Sequence, residues 1–246
     1  MPEIAHTAAD AKPDPIHITG ISSMATRQVL AELTSAFTER SGHTVTIESV
    51  GGVDAAKRVR AGEAFDVVIL ASDAIDKLIA AGAVVLGSRV DLVRSGVAVA
   101  VRAGKELPNI ASEEAVKRAV LAAKSISYST GPSGVALAKL FERWGIADDI
   151  KGRMVQAHPG VPVGTLVASG EVALGFQQLS ELLHVDGITI VGPLPADIQI
   201  TTIFSAGLPV QRGADSARTA AIKSLLDFMA SPEADAAKRR QGMEPC

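Results

Sequence analysis

An α/β fold with mainly parallel sheets is the class this sequence predicts, and three observations predict it. Strand and helix patterns alternate along the chain, as in β–α units, instead of segregating into a strand block and a helix block. In the first third, three strand patterns run directly into Ser, Gly or Ala at the start of a helix pattern: Ile16 to Ser23, Val45 to Gly52 and Asp66 to Ser72. The second half repeats that junction at Thr130 to Gly134, His158 to Val161 and Phe176 to Gln178. A helix N-terminus presents unpaired N–H groups and partial positive charge, and small residues let a ligand reach the main chain. Three such junctions on one parallel sheet form an anion cradle, and the two sets give two cradles that can face each other.

The first strand enters a helix of about Ser23 to Arg40, which sets Val29, Leu30, Leu33, Ala36 and Phe37 on one face and stops at Ser41-Gly42. The strand Val45 to Gly52 leads into VDAAKRVRAGE, and DVVILAS into DAIDKLIAAG. Asp91 to Gly104 reads as one long, partly buried strand that can pass from one half to the other. The second half predicts helix SEEAVKRAVLAA, strand Ser125 to Thr130, helix PSGVALAKLFERWG, strand Arg153 to His158, helix VGTLVASGE, then strand VALGF running into helix QQLSELL. ITIVGPLP and QITTIFSAGLPV read as a strand pair returning to the first half. The helix SARTAAIKSLLDFMA carries a core stripe of Ile222, Leu225, Leu226 and Met229, and Ser231-Pro232-Glu233 opens a last helix with an N-cap serine and an N1 proline.

Composition narrows the function classes. With 246 residues, 47% apolar and 21% charged, the chain describes an ordinary soluble globule with core enough for two lobes. A net charge of −3 and the lack of a Lys/Arg stripe argue against a nucleic-acid partner, and Lys238, Arg239 and Arg240 read as a solvated helix end. Cys246 is the sole cysteine, so no internal disulfide forms. The leader MPEIAHTAADAKPDP has neither a basic nor an apolar signal region, so the chain as written is expected to stay in the cytoplasm; prior removal of a signal peptide makes it periplasmic. No window reaches the roughly 18 apolar residues of a membrane span. Phosphate-loop, dinucleotide, zinc-protease and nucleophile-elbow motifs are missing, and histidines 6, 17, 43, 158 and 184 lack ligand spacing. Neither a metal nor a cofactor is expected.

The order of strand, Ser-Ser, helix; strand, Gly-Gly, helix; DVVILAS, helix, followed by a crossing segment, PSGVALAKLFERWGI, LVASGEVALGFQQLSEL and a LLDFMASPEA tail resembles the type II periplasmic solute-binding fold. Within that fold the chain is most similar to the molybdate-binding-like subfamily, over roughly residues 16 to 243. The resemblance implies two α/β lobes with a cleft between them and one or more antiparallel crossing strands, lobe I being residues 1–95 and 200–246 and lobe II residues 96–199. It implies a monomer that closes by a hinge over a small anion, an organic carboxylate or an oxyanion, and that serves a membrane ABC transporter permease if exported. Matched to the subfamily's pattern, the ligand is met by Ser22 and Ser23, Gly51 and Gly52, Ala71 and Ser72 from the first lobe, and by Ser133, Gly134, Val161 and Gln178 from the second. The pattern's tyrosine falls on Gln178, a departure that leaves room for a carboxylate. Some proteins similar to this subfamily are aconitate isomerases, so a cofactor-independent cis/trans isomerase is the alternative function.

Simpler readings stand beside these. Ser22 and Ser23 also suit helix capping, Gly51-Gly52 a positive-φ turn, and Gln177 and Gln178 a surface helix start. Arg27 and Lys57, one turn inside helices that start at the cleft, are either carboxylate partners or solvated. His158, at a strand end facing the cleft, is the candidate proton-transfer group if the protein is an isomerase, or else a structural loop residue.

Overall fold

The computed structural model describes residues 14–158, 160–210 and 216–246, so the leader reading and Pro159 of the His158 junction lie outside the described residues. The first set of elements is β1 (His17–Ser23), a 3₁₀ turn (Met24–Thr26), α1 (Arg27–Ser41), β2 (Thr44–Val50), α2 (Gly52–Arg60), β3 (Val67–Ala71) and α3 (Ser72–Ala80). The strand β4 (Val90–Arg102) leads to a second set: α4 (Glu113–Ala122), β5 (Ile126–Tyr128), α5 (Pro132–Arg143), α6 (Ala147–Ile150), β6 (Met154–Gln156), α7 (Val163–Ser169), β7 (Leu174–Gln178), α8 (Leu179–Leu182) and β8 (Ile188–Pro193). The chain returns through β9 (Thr201–Gly207), α9 (Ser216–Ala230), α10 (Asp235–Arg240) and β10 (Glu244–Pro245).

The outer ladders are parallel: β1 lies between β2 and β3, and β5 between β6 and β7. Antiparallel pairings gather where the chain crosses. The first half of β4, Val90 to Gly96, pairs with β9, and its second half, from Val97, pairs with β7 and β8. One strand thus serves both sets, in the order β2-β1-β3-β9-β4-β7-β5-β6. The return differs from the expected strand pair: β8 stays in the second set on β4, and β9 alone goes back, between β3 and β4. The reason is the length of β4, whose two halves each offer a free edge, so the two strands dock on different stretches of it.

Each set is a sheet covered on both faces. Alternation along β3 sends Val67 and Ile69 to a core with Leu33, Phe37, Leu225 and Met229, and Val68 and Leu70 to one with Val59, Ile75 and Leu78. The final helices therefore belong with the first set. In the second set Val97, Val99 and Val101 meet Ile126, Leu137, Phe141 and Phe176, and Ala98 and Ala100 meet Leu182 on the opposite face. α1 ends at Gly42, whose φ of 76° gives the left-handed cap that glycine adopts without strain.

Where the chain crosses, Gln199 adds side-chain bonds to the backbone ones. Its Oε1 accepts from Val97 N (2.9 Å) and Ile200 N (2.8 Å), and its Nε2 donates to Leu194 O (3.3 Å). Gly96 makes room for it, since a Cβ there would lie 3.0 Å from Nε2.

Candidate functional site

The first-set residues gather at the strand exits. β1 pairs with β2 so that Ser22 lies opposite Ser49, and the two hydroxyls bond at 2.9 Å. Ser23 follows, nine-tenths buried, with a hydroxyl that has no hydrogen-bond partner among the described residues. It caps nothing, because the chain turns through Met24–Thr26 before α1 begins. Gly52, the first residue of α2, stands beside it: a Cβ there would meet Ser23 Cβ at 3.7 Å. Gly51 has φ −56°, and neither glycine takes positive φ, so no turn requires them; what they leave is open main chain. Ala71 and Ser72 form the same corner at the exit of β3, with φ −53° at Ala71 against −56° at Gly51 and −53° at Gln178. Neither α2 nor α3 has a side-chain cap, so their first N–H groups are unclaimed by side chains.

The cations are placed differently from expectation. Arg27 is the first residue of α1 and lines a groove of about 370 Å³ with Ser49, Ile47 and Leu30. Lys57 lies in the last turn of α2, five residues beyond Gly52, hence roughly 7 Å along the axis from the helix start.

In the second set, Ser133 and Gly134 occupy the first turn of α5, packed on the exit of β5, with Ser133 Oγ 3.5 Å from Ser129 Oγ. The Val161 N–H is engaged, donating to His158 O at 2.9 Å, and the His158 side chain is exposed. The QQLSELL stretch is not one helix: β7 runs on through Gln177 and Gln178, both buried, and a single turn follows. Strand geometry sends the two glutamines to opposite faces. Gln178 Nε2 donates to Thr202 Oγ1 at 2.9 Å and its Oε1 has no partner. Gln177 turns to the start of α7, its Oε1 accepting from Gly164 N at 3.3 Å and its Nε2 donating to Glu181 Oε2 at 2.7 Å.

The two sets meet at these exits. Ser180 Oγ donates to Ala25 O at 2.9 Å, both residues buried. Ser23 and Gln178, each with an unpartnered polar atom, stand two residues before the two ends of that bond. Ser95, on β4 opposite Thr202, adds another buried hydroxyl without a partner. Buried polar atoms are normally satisfied, because an orphan costs about 1–3 kcal/mol. Ser127 Oγ, within β5, is likewise unpartnered, but Ser23 Oγ and Gln178 Oε1 stand at strand exits beside uncapped helix starts, where a hydrogen-bonding guest would satisfy them.

Glu181, Ser180, Thr202 and Ser95 were not among the residues the sequence pointed to, and Gln177 was named only as part of the junction after β7. The Gln177/Glu181 spacing of four was visible, but nothing local marked it as meaningful. Burial pushes the Glu181 carboxyl up to about 7, against the opposing pull of the Gln177 amide. A carboxyl raised in the folded chain holds its proton there over the pH range in which the unfolded chain has already lost it. Stability is therefore expected to fall as pH rises from about 4.5 to about 7, and Glu181→Gln to remove that part of the slope. Urea midpoints of the two proteins across pH 4.5–8 test this; parallel curves would mean that Glu181 is ionised in the fold.

Comparison with known proteins follows the same lines. A family model described as bacterial extracellular solute-binding protein matches residues 18–244. An aconitate isomerase of Pseudomonas sp. is 37% identical over 236 residues, covering 93% of this chain and 87% of that protein. The periplasmic molybdate-binding protein of Azotobacter vinelandii is similar in structure, with a TM-score of 0.74 at 22% identity over 92% of this chain and 98% of that one. A sulfate-binding protein of Mycobacterium tuberculosis has a TM-score of 0.73 at 17% identity, covering 94% and 87%. At these identities the structural likeness speaks for the fold, a two-lobed solute-binding architecture.

Proposed function

Because the chain belongs to the bacterial extracellular solute-binding protein family, we propose that it binds a small organic carboxylate between its two β–α sets and closes over it by a hinge at the β4 crossing. The observation that carries this reading is the pair of buried polar atoms without partners, Ser23 Oγ and Gln178 Oε1, flanking the Ser180–Ala25 bond. In this reading Ser22, Ser23, Gly51, Gly52, Ala71 and Ser72 form one wall, and Ser133, Gly134 and Gln178 the other. The α2, α3 and α5 starts supply N–H groups to the carboxylate oxygens. Arg27 pairs with a further carboxylate at the rim. The open atom of Gln178 is Oε1, an acceptor, so an organic acid that also carries a hydroxyl or a protonated carboxyl suits it better than a fully ionised tetrahedral oxyanion. The family works with membrane permeases, and that role for this chain entails export to the periplasm.

A thermal-shift and calorimetry series with di- and tricarboxylates, molybdate, tungstate, sulfate and phosphate tests the proposal. A ligand at a hundredfold excess over Kd stabilises by about 2.7 kcal/mol, and carboxylates are expected to give the larger shifts. Tight molybdate binding with none for any carboxylate would reverse the assignment. The identity to an aconitate isomerase over 93% of the chain favours a second reading, isomerisation of a tricarboxylate in the same cleft. Interconversion of cis- and trans-aconitate without added metal or nucleotide would establish it.

A further inference from the structure

Isomerisation of a carboxylate by proton transfer needs a group that accepts a carbon-bound proton and gives it back. Among the described residues, no hydrogen bond aims the exposed His158 side chain. The carboxylates Glu32, Glu48, Glu63 and Asp91 are held low chiefly by arginines, and Glu113 chiefly by Trp144, all of which keeps them ionised and engaged. Glu181 differs in placement. It is half-buried in the single turn that follows Gln178, one residue past the Ser180–Ala25 bond that joins the two sets. One carboxyl oxygen is held by Gln177 Nε2 at 2.7 Å, and among the described residues the other has no protein partner. Gln177 is itself fixed, 2% exposed, by the Gly164 N–H at the start of α7.

Resting on the reading that the cleft takes an organic carboxylate, the geometry points to Glu181 as the group that removes and returns a carbon-bound proton of that ligand, with Gln177 as the residue that positions it. In the first step a Glu181 oxygen forms an O–H bond while a C–H bond beside the ligand's C=C–COO⁻ unit breaks. The C–H electron pair moves into the double bond and on to the carboxylate, where the added negative charge faces uncapped helix N–H groups. In the second step Glu181 returns the proton to the far carbon of the three-carbon unit, and the double bond is left shifted by one position. One hydrogen has moved and no co-reactant is consumed. A carboxyl poised at about 7 suits both halves, being a base strong enough to accept and an acid strong enough to return the proton near neutrality. Burial and the Gln177 amide account for that poise; β4, β7, α7 and the Met24–Thr26 turn, packed around this segment, contribute no charge to it.

The test is proton NMR of trans-aconitate with the full chain in D₂O, following loss of the methylene signal. The wild type is expected to exchange it, and Glu181→Gln to slow exchange by about 10² to 10⁴ while trans-aconitate still raises its melting temperature. Exchange should rise with pH through the Glu181 titration. Gln177→Ala, which removes the bond that lowers that titration, should move the midpoint upward. Exchange by Glu181→Gln at the wild-type rate, exchange abolished by His158→Ala alone, or stabilisation by trans-aconitate without any exchange would each overturn the role of Glu181 and leave the binding proposal intact. If no carboxylate or oxyanion stabilises the wild type, the binding proposal fails, and the role of Glu181 with it.

Discussion

Gly134→Ala is expected to cost at least about 3 kcal/mol, beyond the usual range for inserting one methyl group into a packed site. A Cβ on Gly134 would lie 1.8 Å from Ser129 O, 2.8 Å from Ser129 C and 3.1 Å from Tyr128 Cδ2. Two of these atoms are backbone, so no rotamer change relieves the clash. The start of α5 must move off the end of β5, and with it Ser133, whose hydroxyl is 3.5 Å from that of Ser129. Urea denaturation measures the loss, and the same shift should weaken binding of any ligand held by the α5 N-terminus. Gly152→Ala is the control: it has no atom within 4 Å of the added Cβ and is expected to stay within about 0.5 kcal/mol of wild type. A Gly134→Ala protein as stable as that control would refute the close approach of β5 and α5.

Asp66→Ala is expected to cost about 3 kcal/mol. The Asp66 side chain, 4% exposed, precedes β3 and accepts at one oxygen from Thr19 N (2.8 Å), Thr19 Oγ1 (3.3 Å) and Arg218 (2.8 Å), tying β1 and α9 to the β3 entry. Removing one partner of a buried pair costs about 3–5 kcal/mol; the lower end applies because the Arg218 side chain is 36% exposed and rehydrates. Asp66→Asn keeps an acceptor for Thr19 N and should recover part of the loss. An alanine variant within 1 kcal/mol of wild type, by urea midpoint at constant m, would mean that α9 is held by its apolar face alone.

Much of the candidate site was visible as strand-to-helix junctions, because a junction is local: a buried run, a small residue and a helix period lie within about fifteen residues. Ser22, Ser23, Gly51, Gly52, Ala71, Ser133 and Gln178 were singled out as candidates that way. The QQLSELL stretch shows where local reading ends. Its glutamines and glutamate sit at helical spacing, yet β7 carries Gln177 and Gln178 because β4 pairs with them, Gln178 opposite Val97 and Gln177 opposite Ala98. Ladder bonds to a strand some 80 residues away overrode the helix preference of a short polar segment. Ser23 shows the same limit. Its residue type suggested a cap, and the 3₁₀ turn, stitched to Ser180 across the sets, removed the helix it would have capped.

The sequence by itself determined the α/β class, the order of the junctions and the long strand at 91–104, since these follow from apolar periodicity and from the backbone demands of small residues. Only the tertiary structure decided that β8 and β9 part company on β4, that Val161 spends its N–H on a turn and that Lys57 stands away from its helix start. It alone set Gln177 against Glu181 and left Ser23 Oγ and Gln178 Oε1 without partners among the described residues where the sets meet. The physical reason is that desolvation and hydrogen-bond satisfaction depend on what approaches from elsewhere in the chain, and a residue's neighbours in sequence carry no record of that.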